Sequence, residues 1–192
     1  GPVGLVALCC MVFAYRAWQF VVIRDFRVTP KTETSLFYLH EFLSYQTILN
    51  VINRYMLAFL RGTKRAVLYV RFWGARCAWD VVVNTSVVYE APLLTLESGA
   101  VLDTCGLTAH LFMLGERRLN FAPMSVGERA IAHPLSYLWI GDRLQPDVTL
   151  GPGSMLLDST GRGTPPPQYD FGTCLQGIPA FPMFSERKVT ST

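Results

Sequence analysis

The sequence predicts a mainly β fold, a left-handed parallel β-helix preceded by N-terminal α-helices. Three observations predict it: an apolar N-terminal segment, a second segment with helical periodicity, and a six-residue rhythm of apolar residues after residue 72. The predicted organisation is a transmembrane or membrane-associated helix over 1–27, an amphipathic helical linker over 28–71, a β-helix domain over 72–182 and a disordered tail over 183–192.

Composition limits the size of the fold and the class of partner. The 192 residues allow one ordinary domain with a small helical region, and 51% of them are apolar, with the excess near the N-terminus. The net charge of +3 is too small to indicate nucleic acid as the main partner. Five cysteines without a CxxC pair, and three histidines without ligand spacing, predict neither a disulfide framework nor a metal site.

The apolar stretch over 3–23 contains only two polar interruptions, Arg16 and Gln19. At 1.5 Å per residue it is long enough to cross a bilayer, and Arg24 and Arg27 would then mark its cytoplasmic side. An interfacial or buried helix and a signal peptide remain alternatives. The expected localisation is therefore the membrane, with the β-helix facing the cytoplasm.

A helix is predicted from about Ser35 or Glu41 to Leu60, with Gly62 as its C-terminal cap. Apolar residues recur on one side of it at intervals of three and four, at Phe42, Tyr45, Ile48, Leu49, Ile52, Tyr55, Met56 and Phe59. This face could pack on the rest of the protein or lie on a membrane surface.

Basic residues dominate the stretch between Glu41 and Asp80, which contains no acidic residue. They are Arg54, Arg61, Lys64, Arg65, Arg71 and Arg76. Two interpretations stay open at the level of the sequence: a solvated basic face, or a surface in contact with anionic lipid headgroups.

After residue 72 apolar residues recur every six positions. They are Val126, Ala132, Leu138, Leu144, Leu150 and Leu156, and Leu96, Leu102 and Thr108 extend the frame upstream. In a left-handed β-helix each six-residue unit forms one face of a narrow prism, and a small aliphatic residue of each unit points inward. Glycines expected near the corners are Gly99, Gly127, Gly151 and Gly153.

The rhythm lapses between Leu111 and Pro123, in a segment that carries Arg117 and Arg118. We expect a loop that leaves one corner of the prism, and loops of this kind often carry function. A Pro- and Gly-rich connector over 161–168 interrupts the coil again before its end.

Short motifs follow one another in a fixed order along the chain. They are FLRGT (59–63), FWGARC (72–77), VNT (83–85), CGLTAHLF (105–112), SVG (125–127), LGPGS (150–154) and GIPA (177–180). In this order they resemble the C-terminal region of the epsilon-poly-lysine-synthetase-like family, membrane-bound relatives of nonribosomal peptide synthetases. The resemblance covers nearly the whole chain. It implies a final membrane segment and a final acyltransferase-like β-helix, with adenylation and carrier domains upstream in the same polypeptide.

The resemblance implies transfer of an acyl or aminoacyl group from a carrier-bound thioester to an amine, with amide bond formation. The co-substrate would be a phosphopantetheine thioester or acyl-CoA, and no cofactor is expected to stay bound. Because the chain begins Gly1-Pro2 without an initiator Met, a fragment of a longer protein is expected. The sequence departs from the family pattern at Leu119–Asn120 and at 131–134. A coil without catalytic activity therefore remains an alternative.

Candidate catalytic residues lie where the coil gives way to the loop. The imidazole of His110 could take a proton from an attacking amine, and Asp103 could orient the ring or bind a substrate ammonium. Arg117 and Arg118 could bind a pantetheine or nucleotide phosphate, or serve solubility alone. Cys105 is interpreted as a core or corner thiol, because no motif-spaced partner supports a nucleophile.

Two other functions remain possible at this stage. The coil could be a scaffold on the membrane that positions upstream domains without chemistry of its own. It could also be a stand-alone hexapeptide acyltransferase that uses acyl-CoA. Assembly as a trimer, or as a pseudo-trimer of repeated coils in one polypeptide, is possible in either case.

Overall fold

The computed structural model describes residues 4, 6, 7, 10, 13, 14, 17, 31–32, 53, 55–113, 118–157 and 169–183, and of 31–32, 112–113 and 118 only the backbone. Across these ranges no helix combines the length and apolar character needed to cross a bilayer. The predicted membrane helix over 3–23 lies largely outside the described residues. The predicted disordered tail lies outside them from residue 184 onward.

The described chain is mainly β with parallel sheets and a few helices. Its helices include α1 (Lys64–Phe72) and a 3-10 turn (Ala91–Leu93), and the described residues 4, 6, 7, 10, 13, 14, 17, 53 and 55–60 before them are also helical. The strands are β1 (Lys31–Thr32), β2 (Arg76–Cys77), β3 (Val82–Asn84), β4 (Val87–Val88), β5 (Leu94–Leu96), β6 (Val101–Asp103), β7 (Gly106–Leu107), β8 (His110–Met113), β9 (Arg118–Phe121), β10 (Met124–Val126), β11 (Ile131–Ala132), β12 (Tyr137–Leu138), β13 (Arg143–Leu144), β14 (Thr149–Leu150), β15 (Met155–Leu156), β16 (Cys174–Gln176) and β17 (Phe181–Pro182).

Within the described residues, most strands belong to three parallel sheets that the chain visits in a fixed order. The first sheet has the order β13-β10-β5-β2, the second β16-β14-β11-β6-β3 with β17 antiparallel at its edge, and the third β15-β12-β7-β4. One passage through the three sheets is here called a coil, and the first four coils are β2–β4, β5–β7, β10–β12 and β13–β15. This arrangement is compatible with a β-helix.

The register of the ladders confirms the six-residue rhythm. Leu138 pairs with Leu156 and Val126 with Leu144, so the third and fourth coils repeat after 18 residues, six for each sheet. The inward residues of these coils are all buried: Val126, Ala132, Leu138, Leu144, Leu150 and Leu156. Their burial fills the centre of the coils, and the hydrophobic effect is therefore the main force that holds the coils together.

The upstream extension of the frame to Thr108 is wrong by one residue. Leu107, not Thr108, pairs with Leu138 and is buried. The second coil takes five residues from Leu102 to Leu107, where the third takes six, so the frame shifts at this corner. A fixed period of six could not anticipate this shorter turn.

Left-handed backbone conformations mark the corners between the first and second sheets. Gly99, Arg129, Asp147 and Gly172 have φ between 54° and 75°. Such a conformation costs a non-glycine residue about 1–2 kcal/mol. Backbone bonds from one coil to the next offset part of that cost, since the N–H groups of Arg129 and Asp147 donate to Ser98 and Glu128.

Gly127 is required for a different reason, the close approach of the next coil. A Cβ at this position would lie 2.5 Å from the backbone nitrogen of Pro146, closer than any side chain can approach. The glycines predicted near the corners are therefore confirmed in two roles: Gly99 and Gly153 through positive φ, Gly127 and Gly151 through close stacking.

The helices pack on the coils at the N-terminal end. The buried face of α1 consists of Ala66, Val67, Tyr69 and Val70, and α1 contacts β2 and β3 of the first coil. Gly62 has the positive φ of a helix C-cap, as predicted, and its N–H donates to the carbonyl of Val83 at 2.7 Å. This bond ties the junction between the helices to the second sheet.

Candidate active site

The segment with the lapsed rhythm forms a β-hairpin rather than an irregular loop. Its strands β8 and β9 are antiparallel, and His110, the first residue of β8, lies opposite Phe121. The base of the hairpin is closed by Ala122, whose N–H donates to the carbonyl of Ala109 at 3.2 Å. The hairpin leaves the coils between the third and the first sheet, so His110 lies where coil and hairpin meet.

Glu90 is the carboxylate that contacts His110. Its Oε1 lies 2.9 Å from Nδ1 of His110, and its Oε2 accepts a hydrogen bond from the N–H of Ala109 at 3.0 Å. The Glu90 side chain has no exposed surface. A buried carboxylate is costly unless both oxygens have partners, and here both do. We call His110 and Glu90 the dyad.

The backbone at Glu90 helps to place this carboxylate. Its φ of 50° and ψ of 51° are left-handed, at the point where β4 ends and the 3-10 turn begins. Arg129 and Asp147 adopt the same left-handed conformation at other corners, so this backbone geometry belongs to the turns of the coils. The coil geometry also contributes, because Val88 of β4 pairs with Leu107 of β7, so the residues that follow each strand lie side by side.

His110 remains partly accessible. Its side chain is 18% exposed, against 0% for its partner. The ring of Tyr89 meets the imidazole edge-on, with 6.5 Å between the ring centroids. A carboxylate on one ring nitrogen of a histidine fixes the tautomer and the orientation of the ring. The arrangement therefore suits a general base or acid with an orienting carboxylate.

The structure places Asp103 beside Asn84 and Thr104 and does not bring it together with His110. Oδ1 of Asp103 instead accepts hydrogen bonds from Nδ2 of Asn84 at 2.7 Å and from Oγ1 of Thr104 at 3.1 Å. Asp103 ends β6 of the second sheet, whereas His110 follows the third sheet, and the corner between those sheets separates them. Its other expected role, binding a substrate ammonium, remains a prediction.

The two arginines of the hairpin cannot be placed as binding groups. Arg117 lies outside the described residues. Arg118 begins β9, where its backbone pairs with Met113 and with Thr32 of β1, and the description does not extend to its side chain. The predicted contact of both residues with a phosphate therefore remains a prediction.

Cys105 has the environment of a core thiol. It is buried, and burial raises its pKa to about 12, so the reactive thiolate is strongly disfavoured at neutral pH. This environment supports the interpretation of Cys105 as structural. Over the described ranges, no group of three or more His, Cys, Asp and Glu side chains could hold a metal ion.

His133, the other described histidine, lies at a different place in the coils. His133 follows β11, and its backbone N–H donates to the carbonyl of Leu150. Ser136 donates through both its N–H and its hydroxyl to the carbonyl of His133, so His133 lies at a corner of the coil. His40 lies outside the described residues.

Sequence reasoning missed Glu90, although a signal for it exists. The first two coils repeat after 19 residues, as in the pair Val88 and Leu107, and the spacing from Glu90 to Ala109 is the same. Glu90, an acidic residue one coil before His110, could therefore have been paired with that histidine. A fixed six-residue period hides this relation.

Comparison with known proteins adds no identification to this geometry. The sequence matches no protein-family model and no curated protein. The resemblance to the synthetase-like family accordingly remains a prediction.

Proposed function

We propose that this chain is an acyltransferase coil that moves an acyl or aminoacyl group from a pantetheine thioester to an amine, with His110 as the base. The observation that carries the proposal is the dyad: a partly exposed imidazole 2.9 Å from a carboxylate that is itself completely buried. Glu90 is a positioning residue, because its two carboxylate oxygens bond His110 and the N–H of Ala109.

The reaction consumes one amine and one thioester. The amine nitrogen attacks the thioester carbonyl carbon while Nε2 of His110 takes a proton from that nitrogen. The C–S bond then breaks, an amide forms, and the departing thiolate receives the proton from the imidazolium. Glu90 stabilises the imidazolium between these two transfers, as a buried carboxylate does for a catalytic histidine.

The fold proposed for this chemistry is a left-handed β-helix of hexapeptide units. Two features support a left-handed coil. One is the 18-residue repeat divided among three sheets, and the other is the stack of residues with positive φ at the corners. The resemblance to the synthetase-like family suggests that an upstream carrier domain supplies the thioester. Acyl-CoA, which shares the pantetheine thioester, is the alternative donor.

The alternative function is a scaffold, in which the same contacts have only a structural role. The dyad joins the hairpin to the coil before it, because Glu90 bonds both Ala109 and His110. In that case the dyad would stabilise the chain without turning over a substrate.

The test uses thioesters of N-acetylcysteamine, which carry the reactive end of pantetheine, with acetyl or lysyl groups and lysine as the amine. Thiol release and amide formation are measured for the wild type and for His110→Gln. General base catalysis typically contributes 10²–10⁴-fold, so we expect a loss of at least about a hundredfold in His110→Gln. His133→Gln, a change of the same type outside the dyad, should keep the wild-type rate.

Two outcomes contradict the proposal. One is a His110→Gln variant that transfers the acyl group at the wild-type rate. The other is a folded wild type that releases thiol no faster than the uncatalysed reaction, which favours the scaffold. Thermal unfolding of each variant checks that the protein is folded, so that a lower rate is not the result of unfolding.

A further inference from the structure

One face of α1 is exposed and has an unusual composition. Lys64, Leu68 and Arg71 are spaced at four and three residues, so they lie along one side of the helix. Leu68 is 52% exposed, although the opposite side of α1 is buried in the core. A large apolar side chain on an exposed helix face, between two cations, raises the question of what covers it.

Trp79 extends this face beyond the helix. The guanidinium carbon of Arg71 lies 4.3 Å from the centre of the Trp79 ring, and Nζ of Lys64 donates to the Trp79 carbonyl at 2.9 Å. Trp79 is 59% exposed. The four residues Lys64, Leu68, Arg71 and Trp79 are therefore one continuous surface, which we call the α1 patch.

The surroundings of the α1 patch are basic. Arg65 and Arg76, next to it along the chain, are exposed. The one acidic side chain that follows directly, Asp80, accepts a hydrogen bond from the hydroxyl of Ser98 at 2.6 Å. That bond, with the nearby charge of Lys64, lowers the pKa of Asp80, so this carboxylate stays ionised and offsets only one of the four cations.

A surface of this kind complements an anionic lipid bilayer. Tryptophan is enriched at the level of the headgroups, and Lys and Arg bury their stems while their charges reach phosphates. Each basic side chain near an anionic surface contributes about fivefold to binding. Helix α1 has only nine residues, so it would lie on the membrane surface and not cross it.

We propose that the α1 patch docks the β-helix on the surface of a membrane that contains anionic phospholipids, with Leu68 and Trp79 inserted among the headgroups. Charge complementarity selects this occupant. A nucleic acid fits less well, because single strands are bound by a basic groove with several stacking aromatics, and the α1 patch has one aromatic ring. The proposal stands apart from acyl transfer, because no dyad residue belongs to the α1 patch.

The test is flotation of the full chain with vesicles of phosphatidylcholine alone, or with one phosphatidylglycerol in three lipids. We expect binding to the anionic vesicles that exceeds binding to the neutral ones and weakens with added salt. Arg65→Gln should lower the anionic partition constant about fivefold and Lys64→Gln with Arg65→Gln about 25-fold. Arg143→Gln removes an exposed charge on β13, away from the α1 patch. This control variant should have the wild-type partition constant.

Leu68→Ser tests the apolar part and should weaken binding at every salt concentration. Equal binding to both kinds of vesicle, or an Arg65→Gln variant that floats like the wild type, would overturn the proposal and point to attachment by the apolar N-terminal segment. Binding to polyuridylate in preference to anionic vesicles would overturn it in favour of nucleic acid. His110→Gln should float normally, so the outcome is independent of the transferase assay.

Discussion

Two buried cysteine thiols contribute to the stability of the coils. Cys105 and Cys77 lie in the core, and burial raises their pKa values from 9.0 to about 12 and about 11. For Cys77 the charges of Arg71 and Lys64 offset part of that rise. Both side chains are therefore neutral and contribute apolar packing over the physiological pH range.

The free energy of unfolding should fall as the pH rises above 9. Below that pH both thiols are protonated in the folded and the unfolded chain, and their contribution is fully present. Above it the unfolded chain loses thiol protons that the folded chain retains until about pH 11 for Cys77 and about pH 12 for Cys105. Each group then contributes a slope approaching about 1.4 kcal/mol per pH unit.

Urea denaturation between pH 8 and 10.5 measures this effect. Cys105→Ala removes one ionisable thiol from the core and should flatten the dependence on pH. An unchanged slope in that variant would contradict the environment assigned to Cys105.

Gly127 offers a test of how tightly the coils stack. Gly127→Ala forces the backbone around Pro146 to shift, and overpacking of this kind costs about 1–3 kcal/mol. Gly153→Ala meets no atom within 4 Å, although its φ of +64° makes alanine strained there, at a cost of about 1–2 kcal/mol. In thermal unfolding, Gly127→Ala should therefore have a lower melting temperature than Gly153→Ala. The reverse order would argue against the close stacking at Gly127.

At the scale of elements, buried positions alternate with more exposed ones along the strands of the third and fourth coils. Leu144 of β13 is buried, whereas its neighbour Arg143 is exposed. Leu144→Asp would place a charge in the apolar centre and should cost more than about 4 kcal/mol or prevent folding. Arg143→Asp should change stability by less than about 0.5 kcal/mol. Thermal unfolding followed by circular dichroism measures the stability of both variants. Equal stability of the two would contradict the inward position of Leu144 in the coil.

The sequence contained enough to predict the coils but not the hairpin. Six inward residues from Val126 to Leu156 follow one period because their coils have turns of equal length. The period fails at Thr108, where a corner is one residue shorter. The lapse after Leu111 indicated an insertion, but no Asn-Gly or Asp-Gly turn signal and no clean alternation marked β8 and β9.

The candidate site was only half predictable for a similar physical reason. His110 was identifiable because it stands where the rhythm ends. Its partner comes from the preceding coil, 20 residues earlier, and pairing between coils depends on turn lengths that local patterns do not contain. Asp103 was closer in the sequence, but it lies on the other side of a corner.

At the scale of the molecule, the helical segment and the site are connected. Strand β1, which precedes the helices, pairs antiparallel with β9 of the hairpin that His110 begins. Helix α1 packs on the first coil, whose last strand β4 leads into Glu90. The part of the chain that would meet a membrane therefore contacts the same coils that carry the dyad.

The most direct measurement of the central claim is a double-mutant cycle on thioester aminolysis. It compares the wild type, His110→Gln, Glu90→Gln and the double variant with N-acetylcysteamine thioesters and lysine. If Glu90 acts through His110, Glu90→Gln slows transfer in the wild type but has no further effect once His110 is replaced. Independent, additive losses would contradict the dyad as a unit, and transfer unaffected by either change would contradict catalysis at this site.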